Sequence, residues 1–159
     1  MHPEPIKRLI EYFMRLPGIG PRQASRFAFT LLDEDAHTID GFSDALRELA
    51  RSVARCEECF RAIGNTDNAV LCSTCRGTIR AILVVEKDQD YETISKTGIW
   101  PDTYHVLGGA MSLLNEKTRV TERIRSLYER LDRRAKKETP IEVVLATSAT
   151  TEGDSTALY

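Results

Sequence analysis

Apolar residues recur at a helical spacing through the first third of the chain. One stripe over residues 5–15 and a second stripe after Pro21 follow the i, i+3, i+4, i+7 pattern of an amphipathic helix. The stripes consist of Ile6, Leu9, Ile10 and Phe13, then Ala24, Phe27, Ala28 and Leu31. A third stripe predicts a helix over 44–55, capped by Ser43 after a polar connector over 33–42. Three helices are therefore expected before the first cysteine.

The hydrophobic period changes in the second half of the chain. Residues 81–85 form a continuous apolar run, which is typical of a strand that is buried on both faces. The pattern then predicts a short helix over 91–96 that stops at Gly98, a strand over 104–107, a helix over 118–134 and a strand over 142–146. Strands that alternate with helices indicate a parallel sheet with right-handed crossovers.

All four cysteines fall between these two regions, in two matched pairs. Cys56 and Cys59 form one CxxC pair, and Cys72 and Cys75 form the other. Two such pairs supply the four sulfur ligands of a closed, structural zinc site, and paired spacing is more specific than a lone CxxC. The polar segment 64–68 between them is expected to turn the chain back. Two disulfides or four unrelated buried thiols are the alternatives.

A glycine-rich turn separates the first two predicted helices. Gly18 and Gly20 flank an apolar residue, and Pro21 opens the second helix. Such a turn lets backbone N–H groups approach a phosphate, and the helix adds its positive N-terminal end. Arg22 and Arg26 share one face near that end. The pattern favours a DNA-binding helix-hairpin-helix over a plain helical hairpin with solvated arginines.

Composition limits the classes of protein to which the chain can belong. The 159 residues carry a net charge of −2, but residues 1–32 hold five basic and two acidic residues. A basic face on one part of a chain suits phosphate binding. Apolar runs fall short of the roughly 20 residues that cross a bilayer, and the polar start has no signal-peptide core. We expect a cytoplasmic protein with reduced thiols and no membrane contact.

Acidic residues follow two of the predicted strands. Glu86 ends the first strand, and Glu152 and Asp154 come shortly after the third. Ligands collect at the carboxyl ends of strands in open α/β sheets, so these acids could hold Mg²⁺. The third strand itself ends without an acid, however, and Glu86 with distant helpers is a poor Mg²⁺ site. We therefore predict no catalytic residue.

In this order, the features resemble the bacterial RecR family of recombination mediators. The matching segments are Leu16–Pro21, the two CxxC pairs, Val84–Glu86, Thr97–Gly98, Tyr104–Gly109, Val144–Thr147 and Thr151–Asp154. They extend over nearly the whole chain. The resemblance implies an α+β multi-domain protein with a helix-hairpin-helix region over 1–55, a four-Cys zinc finger over 56–78 and a Toprim-like α/β domain over 79–159.

The resemblance also implies a role in recombinational DNA repair without enzymatic activity. RecR proteins form dimers or tetrameric rings that encircle single- or double-stranded DNA without sequence preference, and they act with RecO and RecF to load RecA at single-stranded gaps. It implies one structural Zn²⁺ per chain, DNA binding by Gly18, Gly20, Arg22 and Arg26, and partner contacts on the Toprim-like domain. Glu86, Glu152 and Asp154 are the predicted partner-binding residues there.

Two other function classes stay open at this stage. A Mg²⁺-dependent Toprim enzyme of the topoisomerase, primase or nuclease type would act chemically on DNA, and cleavage or ligation of the DNA would reveal it. A pure interaction module would bind partner proteins without affinity for DNA. Because the chain ends one turn into a predicted element, we also expect a further C-terminal segment or a partner chain to complete the sheet domain.

Overall fold

The computed structural model describes residues 2–65, 70–111, 118–136 and 140–159. The chain divides into two compact units, Met1–Ala50 and Arg51–Tyr159. The cysteines and the predicted sheet therefore lie in the same unit, whereas the predicted hairpin lies in the other. None of the helices in the described part of the chain has the length and hydropathy that a bilayer crossing requires.

The first unit contains the two helices that the apolar stripes predict. Helix α1 spans Glu4–Met14 and helix α2 spans Pro21–Leu32, each with a proline in its first turn. They pack through their apolar faces, where the rings of Phe13 and Phe27 meet edge to face with centroids 5.6 Å apart. Ala24 and Ala28 of α2 are buried, since small side chains let the two helices approach closely.

The third helix differs from its prediction at both ends. Helix α3 spans Ala36–Ser52, so most of the predicted connector over 33–42 is helical and Ser43 is not a cap. The start is fixed by Asp35, whose Oδ1 accepts a hydrogen bond from the backbone N–H of Thr38 at 2.7 Å. That bond lowers the pKa of Asp35 and satisfies a donor of the first turn. The prediction was wrong because it followed the apolar stripe and overlooked the acidic cap.

Residues 53–55 leave the helix because they pair with another strand. Strand β1, Val53–Arg55, runs antiparallel to strand β2, Ala62–Gly64. These strands precede a single-turn helix α4, Ser73–Arg76, which carries the last cysteine. The turn expected over 64–68 falls largely on residues 66–69, outside the described part of the chain.

The sheet has three parallel strands, as the sequence predicts. Its order is β4-β3-β5, with β3 in the centre, and the strands are β3 Ala81–Val85, β4 Thr103–Val106 and β5 Glu142–Ala146. The helices that accompany them are α5 Asp88–Thr97, α6 Arg119–Ala135 and α7 Thr151–Leu158. Helix α5 ends at Gly98, which caps it in the left-handed conformation. The predicted α/β arrangement is confirmed.

The central strand separates two apolar layers. Ile82 and Val84 pack with Ile124 and Leu127 of α6 on one face. Leu83 and Val85 point to the opposite face, where they pack with Tyr104, Val106, Tyr91, Ile94 and Trp100. Because β3 is covered on both sides, each of its residues is apolar, which is why this run was the clearest strand signal.

The two outer strands of the sheet have different edges. On β4, the backbone N–H of Val106 donates to the carbonyl of Cys59 at 2.9 Å, so the first cysteine pair covers that edge. On β5, Val143 and Leu145 remain 37% and 50% exposed. A covered edge is protected from pairing with another chain, whereas the β5 side presents apolar surface.

His105 on β4 is buried and uncharged at neutral pH. Burial lowers its pKa to about 4, the charges of Arg130 and Arg123 act in the same direction, and its Nε2 lies 3.0 Å from the carbonyl of Arg123. The unfolded state, with a pKa near 6.5, takes up a proton first as the pH falls. His105 therefore contributes stability that is present at pH 7 and lost as the pH falls through this window.

We predict that His105 removes about 2 kcal/mol of unfolding free energy between pH 7 and pH 5. Denaturant unfolding at the two pH values checks this, with His105→Gln as the comparison because glutamine places a donor near Nε2. The variant should lose less stability over this interval than the wild type. Equal losses would contradict the prediction, since cysteine protonation affects both proteins alike.

Candidate metal centre and nucleic-acid interface

The turn between α1 and α2 is shaped by one of its two glycines. Gly18 has φ of +78°, a left-handed conformation that side chains disfavour. Gly20 instead has φ of −86° as the N-cap of α2, and a Cβ there would meet no atom within 4 Å. Neither the backbone nor the packing of the described residues requires a glycine at position 20. The surface beside Gly20 is therefore open to an external group.

The predicted DNA-binding residues lie together around this turn. Gly18, Gly20, Arg22 and Arg26 line one shallow concavity with Gln23. No side chain caps the N-terminus of α2. Among the described residues, neither arginine takes part in an ion pair, and both are exposed. Arg26 lies over the ring of Phe27, 5.9 Å from its centroid, and keeps its charge available. The geometry thus places two cations without ion pairs near a helix N-terminus, which is an arrangement that suits an anion.

The four cysteines converge on one point in the second unit. Their sulfurs all lie within 4.8 Å of one another, and the four residues are buried. All four thiols are free, which excludes the disulfide alternative in this structure. The Sγ atoms of Cys59 and Cys72 are 3.8 Å apart, close to the edge of about 3.8 Å expected for a tetrahedron with metal–sulfur distances near 2.3 Å. The predicted ligand set is thus assembled and can hold a metal ion.

Backbone amides support the cluster from within the CxxC loops. The N–H of Cys72 points to the Sγ of Cys56 at 3.4 Å, and the N–H of Cys75 to the Sγ of Cys72 at 3.3 Å. Such donors stabilise sulfurs that carry negative charge. In the metal-free cluster the pKa of Cys75 is raised, chiefly by its contact with the Cys56 sulfur, while the charge of Arg130 opposes this rise. A bound cation would relieve the crowding of four thiolates.

Sequence reasoning missed the arginines that join α6 to this cluster. Arg130 donates to the Sγ of Cys75 at 3.2 Å, and Arg134 donates to the Cys75 carbonyl at 2.8 Å. Both reach across more than 50 residues of chain, so no local pattern reveals them. The available signal was the position of Arg130, which follows Leu127 by three residues and so lies beside the apolar stripe of the helix.

The predicted acids at the sheet edge have different environments. Glu86 is 4% exposed, and its Oε1 accepts hydrogen bonds from both the N–H and the hydroxyl of Ser148, each at 2.9 Å. Glu152 and Asp154 are exposed in the first turn of α7. Glu86 therefore offers little surface to a partner, whereas Glu152 and Asp154 are open to one. Partner binding by these three residues stays a prediction.

The loop that holds Glu86 also fixes the start of α7. The Ser148 hydroxyl lies 2.9 Å from the hydroxyl of Thr150, which caps α7 by accepting from the N–H of Gly153. A Cβ at Gly153 would collide with the backbone oxygen of Ser148, so the close approach requires a glycine. Glu86 thus stabilises a network that sets the direction of the chain after β5.

Comparison with known proteins agrees with this architecture. Residues 6–50 match the family model described as RecR, helix-hairpin-helix, and residues 80–159 match the Toprim domain model. The Recombination protein RecR of Cutibacterium acnes is 40% identical over 162 residues, covering 100% of this chain and 77% of that protein.

The chain belongs to the RecR family. Similar proteins of the same name occur in Latilactobacillus sakei, with 37% identity over 99% of the chain, and in Mycobacterium sp. strain KMS, with 36% identity over 98% of it. The chain spans 77% and 76% of these two relatives. The resemblance found from the sequence is confirmed, and so is its fold: a helix-hairpin-helix region, a four-Cys cluster and a Toprim α/β domain.

We predict that loss of one cysteine destabilises the second unit. Structural zinc provides about 10–16 kcal/mol of apparent binding free energy in small finger peptides, and most of it is folding free energy. Cys72→Ser should therefore bind metal poorly and unfold at a lower temperature, which thermal unfolding with and without Zn²⁺ measures. Ser73→Ala, an exposed change in the same pair, is the matched control. Equal unfolding temperatures for the two variants would contradict a structural metal.

Proposed function

We propose that the chain is a DNA-binding clamp subunit of recombinational DNA repair. The observation that carries the proposal is the pair Arg22 and Arg26, exposed and without ion pairs in the described structure, at the uncapped N-terminus of α2. Family membership supports it, because the relatives are named recombination proteins.

The hairpin presents groups that suit the phosphate backbone of DNA. Two arginines at i and i+4 can contact neighbouring phosphates on one strand. The open surface at Gly20 leaves room for a phosphate oxygen to approach the first backbone N–H groups of α2. Contacts of this kind are independent of sequence and weaken steeply with salt. Binding to single-stranded and double-stranded DNA is therefore proposed without a choice of bases.

The metal is proposed to be one Zn²⁺ held by Cys56, Cys59, Cys72 and Cys75. Four sulfurs within 4.8 Å of one another favour Zn²⁺ over the oxygen-seeking Mg²⁺ and Ca²⁺. With four protein ligands the ion has no open position for a substrate. Its role is then to hold the cysteine loops against β4 and α6.

The surroundings of Glu86 fit a non-catalytic Toprim domain better than a Mg²⁺-dependent enzyme. A Mg²⁺ site needs several oxygens that converge without other obligations. Glu86 is instead engaged by Ser148, and Ser148 and Thr150 follow β5 where acids would be expected to assist. These contacts support a structural use of Glu86.

Partners and assembly follow from the family and from exposed surface. We propose that the chain acts with RecO- and RecF-type proteins to help load RecA at single-stranded gaps, with Glu152 and Asp154 in the partner surface. We also propose a homo-oligomer, either a dimer or a tetrameric ring. On α3 the side chains of Phe42, Leu46 and Leu49 are 43%, 52% and 59% exposed, and such apolar surface favours association. A cytoplasmic location is proposed with this role.

We predict that Arg22→Ala with Arg26→Ala weakens DNA binding and flattens its salt dependence. Each lost phosphate contact lowers the slope of log K against log salt by about 0.7 for single strands and 0.9 for duplexes, so the double variant should lose about 1.4 to 1.8. Fluorescence anisotropy with labelled 30-nucleotide DNA across a salt series measures both quantities.

Arg47→Ala with Arg51→Ala is the matched control for this experiment. Both arginines are exposed on α3, and the double change removes the same total charge. The control should retain most of the binding. An equal loss in both proteins would assign the effect to overall charge, and unchanged binding in the hairpin variant would contradict the proposed site.

We predict that the protein binds DNA with Mg²⁺ present but neither cuts nor religates it. The test is incubation with supercoiled and nicked plasmid followed by gel electrophoresis, using Glu86→Gln as the comparison. Glutamine keeps an acceptor for Ser148 but removes the charge that Mg²⁺ requires, so DNA binding should not change. Mg²⁺-dependent turnover that disappears in Glu86→Gln would favour the Toprim enzyme instead.

A further inference from the structure

Helix α6 places a fully buried arginine against the four-sulfur cluster. The side chain of Arg130 is 0% exposed, and its two terminal nitrogens donate to the Sγ of Cys75 at 3.2 Å and to the carbonyl of Tyr104 at 3.5 Å. A guanidinium remains charged in proteins, and a buried charge is costly unless an opposite charge accompanies it. The contacts of Arg130 must therefore include a counter-charge.

Glu58 supplies only part of this counter-charge. Its Oε2 lies 3.3 Å from the Nε of Arg130, an ion-pair distance, but the direction of that N–H makes no hydrogen bond. The same carboxylate is also contacted by Arg133 at 3.5 Å and by Arg134 at 3.3 Å. Arg130 thus shares a carboxylate that is 18% exposed, although its own charge lies entirely inside the protein.

The sulfur cluster can supply the rest of the counter-charge for Arg130 when a metal is bound. Four thiolates around a divalent ion carry a formal charge of −2, and the Sγ of Cys75 is then a charged acceptor. A hydrogen bond between two charged groups is roughly twice as strong as one between neutral groups. The Nη2 of Arg130 is already at hydrogen-bond distance from this sulfur.

We propose that Arg130 is a counter-charge of the metal-loaded cluster and that it couples metal binding to the docking of α6. This inference rests on the metal binding proposed above. Arg130 contacts the cluster at Cys75 and strand β4 at Tyr104, so one side chain joins the metal centre, the helix and the sheet. By linkage, a residue that stabilises the metal-bound form raises metal affinity, and the metal in turn stabilises the docked helix.

Two other arginines of α6 contact acceptors whose charge does not depend on the metal. Arg134 donates to the backbone carbonyls of Cys75 and Gly77 at 2.8 Å and 3.3 Å, and those acceptors keep the same charge whether or not a metal is present. Arg133 is 62% exposed, and it forms an ion pair with the Glu58 carboxylate. Among these arginines, the contact of Arg130 with a ligand sulfur is the one that responds to metal occupancy.

The experiment compares Arg130→Met with Arg133→Met in the full chain. Zn²⁺ affinity is measured by competition with a chromophoric chelator, and Co²⁺ substitution reports the thiolate-to-metal charge-transfer band. Loss of a partner of a metal ligand typically lowers metal affinity by about 10- to 100-fold. We expect a loss of this size for Arg130→Met, a shifted Co²⁺ band, and less than about a twofold change for Arg133→Met.

Two further variants separate the sulfur contact from the ion pair and from general instability. In a Glu58→Gln background, Arg130→Met should still lower Zn²⁺ affinity, because the sulfur contact persists without the carboxylate. Arg130→Lys keeps the charge but loses the fork that reaches both Cys75 and Tyr104, so it should show an intermediate loss. If Arg130→Met does not fold even with metal, Zn²⁺ affinity is compared instead between Arg130→Lys alone and Arg130→Lys combined with Glu58→Gln.

The outcomes distinguish the metal site itself from its coupling to Arg130. If the wild type binds no Zn²⁺, the proposed metal site fails. If the wild type binds Zn²⁺ but the Arg130 variants bind it equally well, only the coupling fails, and Arg130 is an ordinary packing residue. Thermal unfolding checks the linkage independently, since an Arg130 variant should lose more stability in its Zn²⁺-loaded form than in its metal-free form.

Discussion

Four sulfurs within 4.8 Å of one another are the constraint on which the second unit depends. Such a cluster is crowded with potential negative charge, and a cation or buried positive side chains must balance it. The surrounding structure is built accordingly: amides point at the sulfurs, Arg130 lies against Cys75, and the carbonyl of Cys59 covers the edge of β4. The cysteine loops, α6 and the sheet are thus joined by contacts that meet at this cluster.

The first unit uses a different kind of stabilisation and leaves a different surface. Its helices pack through a small number of apolar contacts, and only Ala24 and Ala28 are fully buried among its described residues. The charges on α2 are free because no side chain within the described structure neutralises Arg22 or Arg26. The exposed apolar surface on α3 suits contact with a protein partner. The hairpin cations without ion pairs suit contact with DNA.

Glu86 shows how an acid at a ligand-binding position of a fold can be engaged by the protein itself. Glu86 occupies the position where open α/β sheets collect ligands, yet here it binds Ser148 and so fixes the start of α7. The collision that any Cβ at Gly153 would cause shows how closely that loop is packed. Family membership and this internal network together favour a binding role for the domain.

The sequence alone determined the features that rest on local rules. Short apolar runs placed β3 and β5, a period of 3.6 residues placed α1 and α2, and the CxxC spacing identified the four ligands, because side-chain direction follows directly from backbone geometry. Local rules failed at α3, where the Asp35 cap decided the start. Only the tertiary structure decided that Glu86 is buried against Ser148 and that Arg130 reaches Cys75, since both contacts join segments more than 50 residues apart and depend on how elements pack.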